Sequence, residues 1–244
     1  MSRGVSNVVG FVLVFAVVVV SIGALYGSGI GSLEGVRDAE QVNNAERAVA
    51  ALAQNFEAVH RGRAPGRAGE VRLNGGTLSI NETTGFRVTV AHDGDVVTED
   101  VGVGALVYRY DDTAIRYEAG AVFRQADGGS VLVRRPAFEC SDDRALVSTV
   151  SVRPTADTAS VTSDGTVVVV GRRAEASTVF PRTATAQTDD EDTVVRFEVA
   201  SSANRDAWDR YLTDNGWVRS GDRYECTTAR AFVRRTVLSV AIRV

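Results

Sequence analysis

The sequence predicts an α+β protein, with one long N-terminal helix followed by a β-rich antiparallel, sandwich-like head domain. Residues 8–26 form an apolar run without a charged residue, and residues 33–59 repeat apolar side chains at helical spacing. Beyond residue 66, short runs rich in Val, Thr, Ile and Tyr alternate with turn residues. One short helix is expected near the C-terminus, within residues 203–214.

The apolar run of residues 8–26 is long enough to cross a membrane as a helix. At a rise of 1.5 Å per residue it spans about 28 Å, close to the hydrocarbon thickness of a bilayer. Arg3 is the only charged side chain before the run. The first charges after it, Glu34, Arg37 and Asp38, are net acidic. The positive-inside rule therefore predicts a cytoplasmic N-terminus and an extracellular C-terminal domain, while a cleaved secretory signal and an uncleaved anchor remain open.

The residues directly before the run are Arg3, Gly4, Val5, Ser6 and Asn7. This start resembles that of an archaeal type IV pilin precursor with a class III signal peptide. The resemblance implies that a prepilin peptidase cuts between Gly4 and Val5 and leaves the apolar helix on the mature protein. It also implies a leader at 1–4 and a transmembrane and assembly helix at 5–26. The implied partners are the peptidase, the assembly platform and other pilin subunits.

Two positions define which pilins the start resembles. Val9 is the fifth residue after the implied cut, where bacterial pilins usually carry Glu, so the likeness is to the archaeal branch. Asn7 is the third, where many haloarchaeal pilins carry Pro, and the chain departs from the haloarchaeal pattern there. All 27 basic residues are Arg, against 31 acidic residues. This composition agrees with a halophilic source and equally with a GC-rich genome.

Residues 27–63 are expected to form a joint and then an amphipathic stalk helix. Residues 27–32 read Gly-Ser-Gly-Ile-Gly-Ser and should interrupt the helix, either as a bendable joint or as a mere linker. The apolar positions that follow are Leu33, Val36, Ala39, Val42, Ala45, Val49, Leu52, Phe56 and Val59. This stripe predicts packing on the chain's own domain or on another subunit's helix.

Residues 66–244 are expected to form the extracellular head, as an antiparallel sandwich or a strongly curved sheet. Turn residues predict hairpins around residues 92–94, 111–112 and 127–129, and a further turn between strands at 74–76. Long β–α–β spacings are absent from the sequence, so a parallel nucleotide-binding sheet is not expected.

Ser202 is expected to cap the short helix over residues 203–214. Trp208 and Tyr211 on this helix, together with Trp217, either pack it onto a sheet or line a ligand site.

Three residues are candidates for covalent modification. Cys140 and Cys226 are the only cysteines, and in an exported domain they are expected to form a disulfide, with buried thiols as the alternative. Asn81 begins the only N-glycosylation sequon, beside a predicted turn, and is a candidate glycosylation site.

The sequence offers no catalytic residue, metal ligand or cofactor site. His60 ends the stalk helix and His92 lies in a turn, so both are expected to be solvated. The acidic residues 189–192 lack the spacing of a calcium loop. No nucleophile elbow, paired zinc histidines or phosphate loop is present, and no basic cluster with stacking aromatics predicts nucleic-acid binding. Carboxylate pairs on strands leave no sequence signature.

These observations favour a type IV pilin-like subunit of the cell membrane or a surface filament, as a minor pilin or an adhesin and not an enzyme. Two alternatives remain open. One is a membrane-anchored extracellular binding protein that does not polymerise, and the other is an exported hydrolase.

Overall fold

The computed structural model describes residues 3–155, 159–182 and 193–244, apart from the side chains of residues 3–7 and 27–34. Within these residues the chain forms two helices and sixteen strands. They are α1 (Arg3–His60), β1 (Gly66–Arg72), β2 (Thr77–Asn81), β3 (Gly85–His92), β4 (Asp95–Gly102), β5 (Ala105–Tyr110), β6 (Thr113–Glu118), β7 (Ala121–Ala126), β8 (Gly129–Arg134), β9 (Ala137–Cys140), β10 (Ala145–Pro154), β11 (Ser160–Thr162), β12 (Thr166–Phe180), β13 (Thr193–Ser201), α2 (Arg205–Asp214), β14 (Val218–Ser220), β15 (Arg223–Thr228) and β16 (Ala231–Arg243).

The strands form three sheets. Sheet A has the order β1-β12-β16-β10-β9, sheet B has β11-β2-β5-β6-β7-β8, and sheet C has β14-β15-β13-β3-β4. Strands β10 and β16 run parallel, and the other pairings among the described residues are antiparallel. The predicted fold class, a long helix followed by a β-rich antiparallel domain with a short helix, is confirmed.

Tight turns form the hairpins that the turn residues predicted. They join β3 to β4, β5 to β6 and β7 to β8, with positive φ at Asp93, Asp111 and Asp127. The predicted turn between strands at 74–76 is also present, with positive φ at Asn74 and Gly75, but β1 pairs in sheet A and β2 pairs in sheet B. That turn therefore passes the chain from one sheet to another.

Helix α1 runs without a break from Arg3 to His60. The predicted interruption at residues 27–32 is therefore wrong. Glycine costs a helix about 1 kcal/mol per residue relative to alanine. The helical turns before and after residues 27–32 keep the backbone hydrogen bonds continuous, and these bonds offset the cost of the glycines. The helix ends as predicted before Pro65, where Gly62 adopts a φ of +74°.

The chain forms two compact units, Met1–Asn43 and Asn44–Val244. The second unit includes residues 44–60 of α1, so the head begins well before the expected boundary at residue 66. In this part of the helix Val49, Leu52, Phe56 and Val59 are at most 1% exposed. The prediction that the second half of the stripe packs on its own domain is confirmed.

The C-terminal part of α1 lies very close to sheets A and B. A Cβ atom on Gly69 of β1 would lie 2.6 Å from Leu52 Cδ2, and one on Gly171 of β12 would lie 2.5 Å from Phe56 Cε1. On the sheet B side, the rings of Phe56 and Tyr117 meet edge to face with centroids 5.3 Å apart. Residues 44–60 of the helix are thus part of the core of the head.

Helix α2 begins two residues later than predicted. Asn204 is its N-cap residue, and the Ser202 hydroxyl instead accepts a hydrogen bond from the Asn204 backbone N–H at 3.0 Å. Trp208 of this helix is fully buried, and its ring centroid lies 5.2 Å from those of Phe86 and Phe123. Through these aromatic contacts α2 packs against strands of sheets B and C.

Candidate functional site

The first candidate site is the apolar segment Val8–Tyr26 of α1, the one segment within the described residues that is long and apolar enough to cross a membrane. None of it is buried within the protein. Phe11, Val12 and Leu13 are 71%, 57% and 61% exposed. Consecutive side chains lie about 100° apart around a helix, so the segment is apolar on every side. Such a surface requires lipid or other apolar helices around it.

The predicted processing residues, Gly4 and Val5, lie at the start of α1, which begins at Arg3. The terminal turn of a helix frays easily because its first backbone N–H groups lack partners within the helix. A protease that binds an extended chain therefore meets little resistance at this end. The cut between the two residues stays a prediction.

The second candidate site is a cavity of about 160 Å³ in the head, beside the C-terminal end of α1. Its polar lining comes from α1, sheets A and B and the residues that follow α1 and β8: Glu57, His60, Arg61, Tyr117, Arg134, Arg135 and Ser148. A site for one water needs only about 10–15 Å³. The cavity is therefore large enough for several waters or for a small chemical group.

His60 lies at the back of this cavity and is 5% exposed. Its Nδ1 is 2.8 Å from the Thr236 hydroxyl of β16, and its Nε2 is 2.7 Å from the Ser148 hydroxyl of β10. The prediction that His60 is solvated is wrong. Its position four residues after the buried Phe56 places it on the same helix face, and this spacing was the available signal.

Burial, and to a lesser extent the positive charges of Arg234 and Arg61, lower the pKa of His60 to about 4, while Glu57 opposes them. The imidazole is therefore neutral near pH 7. One ring nitrogen then donates a hydrogen bond and the other accepts one. The ring links the end of α1 to two strands of sheet A.

The His60–Ser148 hydrogen bond has the length expected of a base–nucleophile pair. Other features favour a structural role. The Thr236 hydroxyl occupies the place where a catalytic triad has a carboxylate, and Ser148 is only 7% exposed. A histidine with a pKa of about 4 is also a weak base at neutral pH.

Charged side chains surround the opening of the cavity. The two carboxylate oxygens of Glu57 pair separately with Arg61 and Arg134, each at 2.5 Å. Arg135 is exposed and forms no ion pair with the described residues. Tyr117 is 1% exposed, and burial raises the pKa of its hydroxyl. The cavity therefore combines a cationic rim with neutral hydroxyl groups inside.

His92 is the second histidine whose predicted exposure is wrong. It is 8% exposed, and its Nδ1 lies 2.8 Å from the Thr193 hydroxyl. It follows Val88 and Val90 at a spacing of two in β3, which places all three side chains on the buried face of the strand. Its ring meets that of Phe180 edge to face at 6.0 Å. These contacts give it a packing role.

The predicted disulfide between Cys140 and Cys226 is present, with Cα atoms 5.9 Å apart. It links β9 of sheet A to β15 of sheet C. Asn81 ends β2, and its side-chain oxygen accepts hydrogen bonds from the N–H and hydroxyl groups of Thr83 at 2.8 and 2.6 Å. Thr83 is exposed, so the sequon lies at the surface, and its glycosylation stays a prediction.

The aromatic residues near the C-terminus form core and not a ligand site. Trp208, Tyr211 and Trp217 are at most 5% exposed. The Trp208 Nε1–H donates to a Glu118 carboxylate oxygen at 2.6 Å, and the Tyr211 hydroxyl donates to the backbone oxygen of Phe138 at 3.1 Å. The alternative that they pack the helix onto a sheet is confirmed.

Metal ligands were not expected from the sequence. In the part of the chain that the structure describes, no three His, Cys, Asp or Glu side chains are grouped to hold a metal ion. The acidic residues 189–192 lie outside the described residues.

Comparison with known proteins gives a family but no function. Residues 3–244 match the model of DUF7289, a family of unknown function, and the chain belongs to that family. The chain matches no curated protein and no solved structure.

Proposed function

We propose that this member of DUF7289 is a type IV pilin-like exported subunit, held in the cell membrane by α1 with its β-rich head outside the cell. Within the filament class, a minor pilin or an adhesin is favoured, since the head is large for the repeating subunit of a shaft. The head then serves for binding and not for catalysis.

One observation supports this proposal most directly. A single helix has two parts with opposite surroundings, because Val8–Tyr26 is exposed and apolar while Phe56 and Val59 are buried in the head. A pilin subunit needs this combination, since its helix must anchor it in the membrane and later pack against other subunits. The pilin-like start at Arg3, Gly4 and Val5 adds the expected processing signal.

The proposed mechanism is assembly. A prepilin peptidase cuts between Gly4 and Val5 on the cytoplasmic side, and the subunit stays in the membrane through Val8–Tyr26. The assembly platform then extracts it, and the apolar helix surface exchanges lipid for the helices of neighbouring subunits. Contacts among these helices offset the free energy of leaving the bilayer.

The mature N-terminus tests the proposal, measured by mass spectrometry on protein from membranes of cells with and without their prepilin peptidase. We expect a start at Val5 that is lost in the peptidase-deficient cells and in a Gly4→Val variant, because the peptidase requires a small residue before the cut. A Ser2→Val variant is the matched control and should be cut normally. A start near residues 24–30 would contradict the proposal.

A membrane-anchored binding protein that does not polymerise is the second candidate. The cavity beside His60 supports a binding role for the head, and such a role does not require a filament. This candidate keeps the same helix but requires no cut. A start at Met1 or Ser2 in both kinds of cell would therefore support it over the pilin proposal.

A further inference from the structure

We propose that the cavity beside the C-terminal end of α1 binds an oxyanion, namely a carboxylate, sulfate or phosphate group on a small ligand or at one end of a larger ligand. The cavity lies wholly within the head, so this proposal does not depend on whether the subunit enters a filament.

The charges around the cavity favour an anion. Glu57 is the one carboxylate in the lining, and it is shared by Arg61 and Arg134 at 2.5 Å each. Two guanidinium groups against one carboxylate leave one positive charge, and Arg135 adds a second. The protein as a whole has a formal charge of −4, so a cationic cavity runs against its overall composition. After burial, the main cause, Arg61 of this rim and Arg234 outside the lining are the positive charges that lower the pKa of His60.

The neutral groups of the cavity also suit an oxyanion. Tyr117 is almost fully buried, and its raised pKa keeps the hydroxyl protonated. Ser148 is held in place by His60 at 2.7 Å. The charged oxygens of an oxyanion are acceptors, and the Tyr117 hydroxyl and the guanidinium groups supply donors. Arginine is especially suited, because its planar fork binds two oxygens of one group.

The size of the cavity limits what can enter it. Pockets that enclose a drug-sized ligand have volumes of about 300–1,000 Å³. The cavity, at about 160 Å³, fits a single charged group. Arg135 also lines a wider depression of about 470 Å³ between β8 and α2. The remainder of a larger ligand can therefore extend over Arg135 into this depression.

The experiment uses the two histidines as reporters, since the chain contains only His60 and His92. The full chain in detergent micelles is labelled with 13C-histidine and titrated at pH 7 with sodium sulfate, phosphate or glucuronate. Sodium chloride at equal ionic strength is the reference titration. We expect a saturable shift of the His60 ring signals without a shift at His92. The anion that saturates at the lowest concentration identifies which oxyanion the site prefers.

Variants distinguish the cavity from general anion effects. Arg134→Gln should weaken binding about tenfold, because a hydrogen bond to a charged group is lost. Glu57→Gln should strengthen binding, because the competing carboxylate is removed. Arg124→Gln is the matched control and should leave the affinity unchanged. Arg124 likewise pairs a strand of sheet B with α1, through Glu46 at 3.6 Å, but lies outside the cavity lining.

Several results would overturn the proposal. One is the absence of saturation at His60, which would mean that the cavity holds only water around its ion pairs. Another is an equal response of both histidines in every salt. A third is an equal affinity in the Arg134→Gln and Arg124→Gln variants. The dispersed signal of His92 reports whether the Arg134→Gln variant is folded. If that signal is lost, Arg135→Gln at the exposed rim is used in place of Arg134→Gln and should also weaken binding.

Discussion

His60 is the residue at which α1, two strands of sheet A and the cavity meet. Both of its ring nitrogens lie within hydrogen-bond distance of buried hydroxyls, those of Ser148 and Thr236. Thr236 is 0% exposed, so no bulk water can replace the imidazole as its partner. Loss of the ring would leave two buried polar groups without partners, at a cost of about 1–3 kcal/mol each.

The first prediction concerns the pH dependence of stability at His60. Its pKa is about 4 in the folded protein against an ordinary value of 6.5, so the unfolded chain binds the proton more readily. This contribution to the free energy of unfolding is therefore present above pH 6.5 and is lost as the pH falls to about 4. The loss should amount to about 2–3 kcal/mol. Urea unfolding of the full chain in micelles, followed by tryptophan fluorescence, measures it.

A His60→Gln variant is the reference, because other groups titrate in the same range. The difference in unfolding free energy between wild type and variant should shrink as the pH falls from 6.5 to 4. The Thr213→Ala variant, at an exposed position of α2, should follow the wild type at every pH. A difference between wild type and His60→Gln that is constant with pH would refute this account.

For individual residues, the sequence predicted the disulfide partner correctly but did not predict the hydrogen-bond partners of His60. The pairing of Cys140 with Cys226 followed from their being the only two cysteines. The partners of His60 lie 88 and 176 residues further along the chain, and nothing near His60 indicates them. The helical spacing from Phe56 could have indicated its burial, but the position at a helix end favoured exposure.

Among the elements, the C-terminal part of α1 depends on glycines in the strands beneath it. Gly69 and Gly171 leave room for Leu52 and Phe56, and a side chain at either position would meet them at 2.6 or 2.5 Å. Both lie in strands of sheet A, and neither has a positive φ. Glycine is needed at these positions because it lets the helix approach the sheet closely. An unusual backbone conformation is not the reason.

Gly171→Ala should therefore destabilise the head by about 1–3 kcal/mol, the usual range for overpacking a filled core. Phe56 is 0% exposed and has little room to move away. Gly129→Ala is the control, because its nearest neighbour to a new Cβ is 3.8 Å away, and it should be close to neutral. The same urea unfolding measurement gives both values. Equal effects of the two substitutions would show that the helix can shift.

The elements that the sequence predicted are those set by local chemistry. Asp93, Asp111 and Asp127 adopt the positive φ of tight turns, and each hairpin forms where these residues stand. The parallel pairing of β10 with β16 joins Ala145 to Ala231, and no local signal encodes such a distant contact. The sequence also failed to predict that α1 continues through residues 27–32. The low helix propensity of glycine is a local property, and it does not include the stabilisation by the helical turns on either side.

The whole molecule combines two kinds of surface in one helix. The segment Val8–Tyr26 presents apolar side chains on every side, whereas residues 44–60 are part of the core of the head. The first kind of surface is stable only in an apolar environment. The apolar side chains of residues 44–60 are instead buried against the chain's own head. Among the described residues, Val8–Tyr26 is therefore the segment on which membrane anchoring would depend.

This gives a prediction for the full chain in cells. Replacing both Val14 and Val17 by Arg should weaken membrane insertion by about 5–7 kcal/mol, since each Arg costs about 2.5–3.5 kcal/mol at a helix centre. The variant should then be released by alkaline carbonate extraction, while wild type and a Val14→Leu/Val17→Leu variant stay in the membrane fraction. Retention of the double Arg variant would show that another part of the chain holds it there.

Strand β16 lies between β10 and β12 in sheet A, although it follows both in the chain. A ribosome releases the N-terminal part of a chain first. Helix α1 and strands β1, β10 and β12 therefore emerge before the strand that completes their sheet. Thr236, the partner of His60, follows 176 residues later. Sheet A thus closes only after β16 has been synthesised.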